Sequence, residues 1–416
     1  MSQDPNTLRI PTRWRNTPMA FDKTQAPAPG SIIDVEITDI GFGGDGVGRL
    51  DGMAVFVPYT LPGETVRARV FERKRRFLKA WPKEILTPSP DRIQARCGHY
   101  QLCAGCAYQH IPYVREREIK ADQVRQLLQR IGHLEGIPIS CAPLPDALGL
   151  EDGYHYRNRV TVHRLRRQCG FFKHDNHQVL TIEECPISAP GLQELILDEA
   201  RHPEGLPRVD LRIDSAGQPV SQAQAWFQVD CHGHTYRVPL ESFFQTHFAA
   251  AAQMIDLLEG WMSDLSKRNL LIDGYGGVGL FSVALGQLFS KTILVELDRN
   301  AVEAAQLNMR TNRPESAFST HAAPLETTLS SLLRSHDTNA TSVILDPPRV
   351  GLQPQVIDIL LARTPQNVFY ISCDPSKLAR DLARLNTRYL VKSVQLVDMF
   401  PRTAHIESIA FLELKA

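Results

Sequence analysis

From residue 269 onward the chain alternates regularly between short apolar runs and stretches with helical spacing. The runs fall at 269–273, 292–296, 342–345, 368–372 and 390–396. Alternation of this length predicts a parallel, doubly wound α/β sheet. The last two runs, near 391–398 and 408–414, are joined without room for a helix and predict an antiparallel hairpin at the sheet edge. Sheets of this kind bind ligands in the crevice outside the carboxyl ends of their strands. The residues just past each apolar run are therefore where function should be sought.

Those residues are distinctive. The first run leads into Asp273-Gly274-Tyr275-Gly276-Gly277-Val278-Gly279, and the second ends at Glu296. A glycine-rich turn lets a ligand approach the backbone and the next helix N-terminus, and an acidic residue about 20 residues further on is placed to accept ribose hydroxyls. The pair fits NAD or S-adenosylmethionine, although a plain tight turn would also explain the glycines. Asp346-Pro347-Pro348-Arg349 ends the third run; its prolines stop the strand and direct the Asp346 carboxylate into the crevice. Ser372-Cys373-Asp374-Pro375 ends the fourth. A thiol beside a helix N-terminus is expected to have a lowered pKa and to serve as a nucleophile, against the commoner fate of a small buried cysteine. Downstream, Phe400-Pro401-Arg402-Thr403-Ala404-His405-Ile406-Glu407 sets a histidine and a carboxylate on one side of an extended segment.

A chain of 416 residues exceeds one core. Residues 1–28 are Pro-, Arg- and Asn-rich without periodicity and read as a flexible basic tail. Short runs broken by glycines over 29–88 predict a small β-barrel. Residues 89–243 are mixed, with a helix near 114–131 and strands near 159–165 and 210–213. A helix near 245–265 leads into the α/β unit, taken as 244–416. There is no apolar run long enough to span a bilayer and no secretory signal, so a cytoplasmic location is expected. Nothing demands an oligomer, so a monomer is expected.

Lys plus Arg and Asp plus Glu number 46 each, so net charge offers nothing to nucleic acid. Local charge does. Residues 67–83 carry eight basic side chains against Glu72, and Arg157, Arg159, Arg164, Arg166, Arg167 and Lys173 form a second basic stretch. Phosphate affinity follows local charge. The bland alternative for either stretch is a solvated strand face.

Four of the eight cysteines make a pattern: Cys97-x5-Cys103-x2-Cys106, with Cys185 far downstream. Such a set can hold a [4Fe–4S] cluster, with four-thiolate zinc as the rival. Its first gap of five residues disfavours a radical-type cluster.

Taken together, these motifs resemble the RNA uracil-5 methyltransferases, in particular the iron–sulfur ribosomal-RNA type, from about residue 31 onward. Gly41-Phe42-Gly43-Gly44-Asp45-Gly46 and the stretch through Glu64 resemble a TRAM domain. Cys97, Cys103, Cys106 and Cys185 match the family's [4Fe–4S] ligands. Phe244-Gln245, Tyr275, Glu296 and Asp346 match its cofactor-binding positions. The Asp346, Cys373 and Glu407 motifs are its most specific signatures. The resemblance implies a class I (Rossmann-like) methyltransferase domain with an N-terminal OB-type barrel and a central α+β iron–sulfur domain. It implies S-adenosylmethionine-dependent methylation of uridine C5, most readily in 23S ribosomal RNA, with Cys373 as nucleophile and Glu407 as base. The cluster is expected to act as a fold staple, since methyl transfer moves no net electrons. Two departures stand out: Gly276 where the family usually has Cys, and Leu280 where it often has a polar residue. Transfer RNA is the alternative substrate. Methylation of an exocyclic nitrogen, or a non-catalytic RNA-binding assembly factor, are the further alternatives.

Overall fold

A computed structural model describes residues 27–144, 152–174, 177–202 and 204–416. The tail read over 1–28 lies, up to residue 26, outside the described residues. Five strands close the N-terminal barrel: β1 (Ile32–Ile40), β2 (Gly46–Leu50), β3 (Met53–Val57), β4 (Thr65–Arg73) and β5 (Phe77–Thr87), in the order β1-β2-β3-β5-β4. Along β1 and β4 alternate residues are buried and exposed, as a closed barrel with one wet face requires. Val35, Ile37, Val55, Val66, Ala68 and Leu78 fill its interior. The basic residues between 67 and 83 are spread over β4, β5 and the turn joining them.

Helix α1 (Tyr113–Arg130) follows, then the three-residue strand β6 (Ile139–Cys141). The central segment holds β7 (Arg159–Leu165), β8 (Gln168–Phe172), β9 (Val179–Thr181), α2 (Pro190–Arg201) and β10 (Arg208–Arg212). Its sheet order is β10-β7-β8-β9, and Val160, Val162 and Leu211 pack one face against Leu192 and Ile196 of α2. A hairpin of β11 (Trp226–Cys231) and β12 (His234–Pro239) leads to α3 (Phe248–Ser263). This helix starts later than expected, at the His247 cap, whose ring nitrogen accepts from the Ala250 N–H. Gln245 therefore lies in the extended approach to the helix.

The remaining elements are β13 (Leu270–Gly274), α4 (Leu280–Leu285), β14 (Lys291–Glu296), α5 (Arg299–Asn312), β15 (Phe318–Ala322), α6 (Leu325–Arg334), β16 (Thr341–Leu345), α7 (Pro354–Arg363), β17 (Asn367–Ser372), α8 (Pro375–Leu385), β18 (Tyr389–Val397) and β19 (Glu407–Leu414). The sheet runs β15-β14-β13-β16-β17-β19-β18-β6. Strands β13, β16 and β17 are buried end to end, the signature of a parallel sheet covered on both faces. The final hairpin is antiparallel as expected, but it is not the sheet edge. Strand β19 inserts between β17 and β18, and β6 pairs in parallel with β18 through Val394, Gln395 and Leu396. The central segment thus covers an edge that would otherwise expose unpaired backbone groups. No helix among the described residues is long and apolar enough to cross a membrane.

Helix α1 buries charge on its inner face beside the apolar Ala121, Val124 and Leu128. Lys120, 1 % exposed, meets Glu116 at 2.7 Å and Asp398 at 2.9 Å, and donates to the Phe400 carbonyl. Glu116 also accepts from the Arg402 backbone N–H at 2.7 Å, and the Ala107 and Tyr108 N–H groups donate to the Arg402 carbonyl. The loop 398–406 is held in this way from the central segment, and it delivers Glu407 into β19.

Candidate active site

At the carboxyl ends of the parallel strands lies a cavity of about 770 Å³. The six residues singled out in or just before the α/β unit all line it: Gln245, Tyr275, Glu296, Asp346, Cys373 and Glu407. The topology explains the convergence. Tyr275, Glu296, Asp346 and Cys373 sit at or just past the ends of β13, β14, β16 and β17. In the ladder, Ser372 of β17 stands opposite Ser408 of β19. The next residue along β17 and the preceding one along β19 are Cys373 and Glu407, so antiparallel register brings thiol and carboxylate to the same end of neighbouring strands.

Cys373 precedes α8, whose cap Asp374 accepts from the Ser376 and Lys377 N–H groups. The cap stiffens the turn that presents the thiol. The expected lowering of the thiol pKa does not occur. Burial pushes Cys373 up to about 11, the Glu407 and Asp346 carboxylates push the same way, and Arg349 opposes them. The helix end is outweighed chiefly by burial of the thiol, with the two acids adding to it. Glu407 is 8 % exposed, and burial holds its carboxyl well above the usual range, reinforced by Asp346 and opposed by Arg349. Burial, then the neighbouring Asp273, raises Asp346 to about 7. Arg349 is thus the cation that favours the ionised form of both Cys373 and Glu407.

The opposite wall is built from the glycine loop. Tyr275 adopts a left-handed backbone, φ 62°, costly for a side chain of its size. Its hydroxyl is buried and has no hydrogen-bond partner. Glu296 is fixed by three backbone N–H groups: Gly277 at 3.1 Å, Leu297 at 2.6 Å and Asp298 at 2.9 Å. Gln245 is anchored through its carbonyl, which accepts from Asn158 Nδ2 at 3.1 Å. The departure at Gly276 has a physical counterpart: a Cβ there would lie 2.6 Å from Leu294 Cγ, so Leu294 fills the space that a side chain at 276 would take. Leu280 is buried in the apolar core, where a polar side chain would need a partner.

The four patterned cysteines gather elsewhere. Cys97, Cys103, Cys106 and Cys185 line one cavity of about 290 Å³ between the loop 97–109 and the β7–β8 sheet. Burial raises the thiols of Cys97, Cys103 and Cys106, and each also feels Cys185. One zinc ion at about 2.3 Å from four tetrahedral sulfurs sets those sulfurs about 3.8 Å apart. Among the described residues, the grouping whose ligand atoms all lie within 4.8 Å of one another is a different one, His232, Asp256 and Glu259. The four sulfurs are therefore spread more widely than a single zinc ion needs.

Some lining residues carried no assigned role in the sequence reading. Phe243 is 60 % exposed at the cavity rim, while its neighbour Phe244 is buried. The doublet gave no hint which ring would face out. Arg349 was visible within its motif, but its electrostatic reach to Cys373 and Glu407 is a tertiary property. His405 lines both this cavity and a second one of about 270 Å³, shared with Phe56, Tyr59, Phe71, Lys79 and Trp81 of the barrel.

Residues 221–415 match the family model described as tRNA (Uracil-5-)-methyltransferase, and residues 28–82 match that of the TRAM domain. A protein of Thermosynechococcus vestitus described as an uncharacterized RNA methyltransferase is 29% identical, covering 92% of this chain and 98% of its own. A protein of Halalkalibacterium halodurans with the same description is 27% identical, covering 95% and 100%. The crystal structure of the Pyrococcus abyssi tRNA (uracil-54, C5)-methyltransferase with S-adenosyl-L-homocysteine is similar in fold. Its TM-score is 0.67 at 24% identity, over 91% of this chain and all of that one.

Proposed function

We infer, from this chain's membership of the RNA uracil-5 methyltransferase family with a TRAM domain, that it methylates uridine C5 in RNA through a covalent Cys373 adduct. The observation that carries this reading is the convergence of one thiol, two raised carboxylates and one arginine in a single strand-end cavity. A nitrogen methyltransferase needs no thiol there.

Gln245, Tyr275, Glu296 and Asp346 would hold S-adenosylmethionine. The fit is supported by the unpartnered Tyr275 hydroxyl and by the Glu296 carboxylate held at the end of β14. When bound, the cofactor supplies an electrophilic methyl group on a cationic sulfur. The protein's task is to make uracil C5 a nucleophile. The Cys373 thiolate adds to C6, and the electron pair displaced from the C5–C6 bond enriches C5, the position alkylated. The thiol is raised, so its proton must pass to a base; Asp346, raised to about 7 in the same cavity, takes it and leaves Glu407 ionised beside Arg349. Arg349 favours the thiolate. Glu407 then takes the C5 proton, the pair returns to the ring and Cys373 leaves. Dividing the reaction in this way is the gain of covalent catalysis, and a positioned base adds about 10² to 10⁴-fold.

Cys97, Cys103, Cys106 and Cys185 line one cavity and would hold a [4Fe–4S] cluster, with four-thiolate zinc as the rival. We assign the cluster a structural role. The barrel and the basic residues of β4 and β5 would grip flanking RNA by phosphate contact and stacking. Ribosomal RNA is the substrate we favour, on the pairing of TRAM domain and cysteine set. Transfer RNA is the second reading, suggested by the matching tRNA (Uracil-5-)-methyltransferase family and by the Pyrococcus abyssi enzyme, a tRNA (uracil-54, C5)-methyltransferase.

The test is mass spectrometry of Cys373→Ala and Glu407→Ala proteins incubated with S-adenosylmethionine and, separately, ribosomal and transfer RNA. The expected result is a stable protein–RNA adduct with Glu407→Ala and none with Cys373→Ala, on one RNA class only. Methylation that survives loss of the thiol would overturn the C5 reading.

A further inference from the structure

Arg212, at the end of β10, is 6 % exposed, yet among the described residues no carboxylate pairs with it and its Nη1 has no hydrogen-bond partner. Its guanidinium lies over the Phe227 ring, 4.6 Å from the centroid. Directly opposite in the ladder stands Arg159. Like charges facing each other across strands are destabilising, and a buried cation without a partner costs more still. The nearest acid does not relieve it. Asp210 is taken up by Arg159 at 3.1 Å, by Arg208 at 3.5 Å and by the Thr161 hydroxyl. Burial and Arg159 press the Arg212 guanidinium down to about 10, and Asp210 and Glu241 only partly oppose them. Arg159, Arg208 and Arg212 line one cavity of about 270 Å³, together with Gln222 and the carboxylates Asp210 and Glu241.

The cavity adjoins the candidate active site along the chain. Leu240 and Glu241 line it, and the next two residues, Ser242 and Phe243, line the strand-end cavity. Asn158, beside Arg159, is hydrogen-bonded to the carbonyls of Gln245 and Thr246.

We propose that this cavity is an anion site that takes a backbone phosphate of the bound RNA next to the target nucleotide, with Arg212 as its buried cation and Arg159 and Arg208 at its mouth. A phosphodiester supplies what the cluster lacks: a negative charge whose oxygens can accept from several guanidinium groups at once. The site would set how far along the strand the target uridine sits from a fixed phosphate. The proposal rests on the RNA reading above.

The experiment compares wild-type and Arg212→Met proteins for binding of a short fluorescein-labelled oligouridylate across a salt series, with thermal midpoints measured alongside. Removing an unpaired buried cation should leave the midpoint unchanged or raise it. It should weaken RNA binding and lower the slope of log affinity against log salt by about 0.7, the share of one phosphate contact on a single strand. An unchanged slope overturns the proposal. If Arg212→Met fails to fold, Arg208→Gln at the exposed rim decides. A reduced slope supports the site, and an unchanged one overturns it. A wild-type protein whose binding ignores salt overturns the RNA reading as well, whereas a failure seen only in the variants leaves that reading standing.

Discussion

On the proposed reading Asp346 would face the cationic methyl donor, and its carboxyl is raised to about 7 by burial and by Asp273. An acid raised in this way stays protonated in the folded protein between its ordinary 3.8 and about 7. Over that window the fold loses stability as pH rises, because the native state binds the proton more tightly than the unfolded chain does. A bound cation favours the ionised form. Affinity for S-adenosylmethionine should therefore rise with pH through about 7 and level off above it. Affinity for S-adenosylhomocysteine, whose sulfur is neutral, should change much less. Calorimetric titration of both ligands across this range checks the difference, and parallel profiles would remove Asp346 from the sulfonium's surroundings. The same reasoning shows why the Cys373 thiol misled the sequence reading. Its helix N-terminus was legible from Asp374-Pro375, but the burial that outweighs it, and the acids just past β16 and on β19 that add to it, come from elements far away in sequence.

At the scale of elements, α1 and the loop 398–406 form one electrostatic unit. Replacing Lys120 by Met would leave Asp398 as an uncompensated buried acid and Glu116 with Arg402 alone at 3.7 Å, for a loss of about 3–5 kcal/mol in urea unfolding. Adding Asp398→Asn should recover part of that loss, as expected for residues that share a partner. A loss within about 0.5 kcal/mol, the range of ordinary surface substitutions, would mean the network is not paired as described. None of this was visible in the helix spacing of 114–131, because charged residues on a helix read as its wet face. The parallel strands β13, β14, β16 and β17 were legible, since each is an uninterrupted apolar run. Strand β15 was not: Phe318-Ser319-Thr320-His321-Ala322 is half-polar, as an outer strand can be. Strand β6 has three residues and owes its conformation to β18. Reading the hairpin as a free edge followed from missing β6.

For the whole molecule, the barrel, the thiol cavity and the α/β crevice meet around one loop. The Ala107 and Tyr108 N–H groups, immediately after Cys106, hold the Arg402 carbonyl, and Ala404 and His405 face the barrel's aromatic side chains across a cavity. A metal group at Cys106 would thus stiffen the segment that bears Glu407, and this gives the structural role a route. Metal analysis of anaerobically purified protein should find iron and acid-labile sulfide in equal amounts, with little zinc. A single zinc ion per chain would overturn the cluster. The position of β19 carries a consequence for synthesis. It is paired on both sides, between β17 and β18, and it brings in Glu407. Its residues leave the ribosome after those of every other described strand, so on the proposed reading a nascent chain already displaying its barrel and its thiol would lack the base. Reactive capacity would then arrive only with the strand that locks the sheet, and an unfinished chain would be unable to alter any RNA its barrel held.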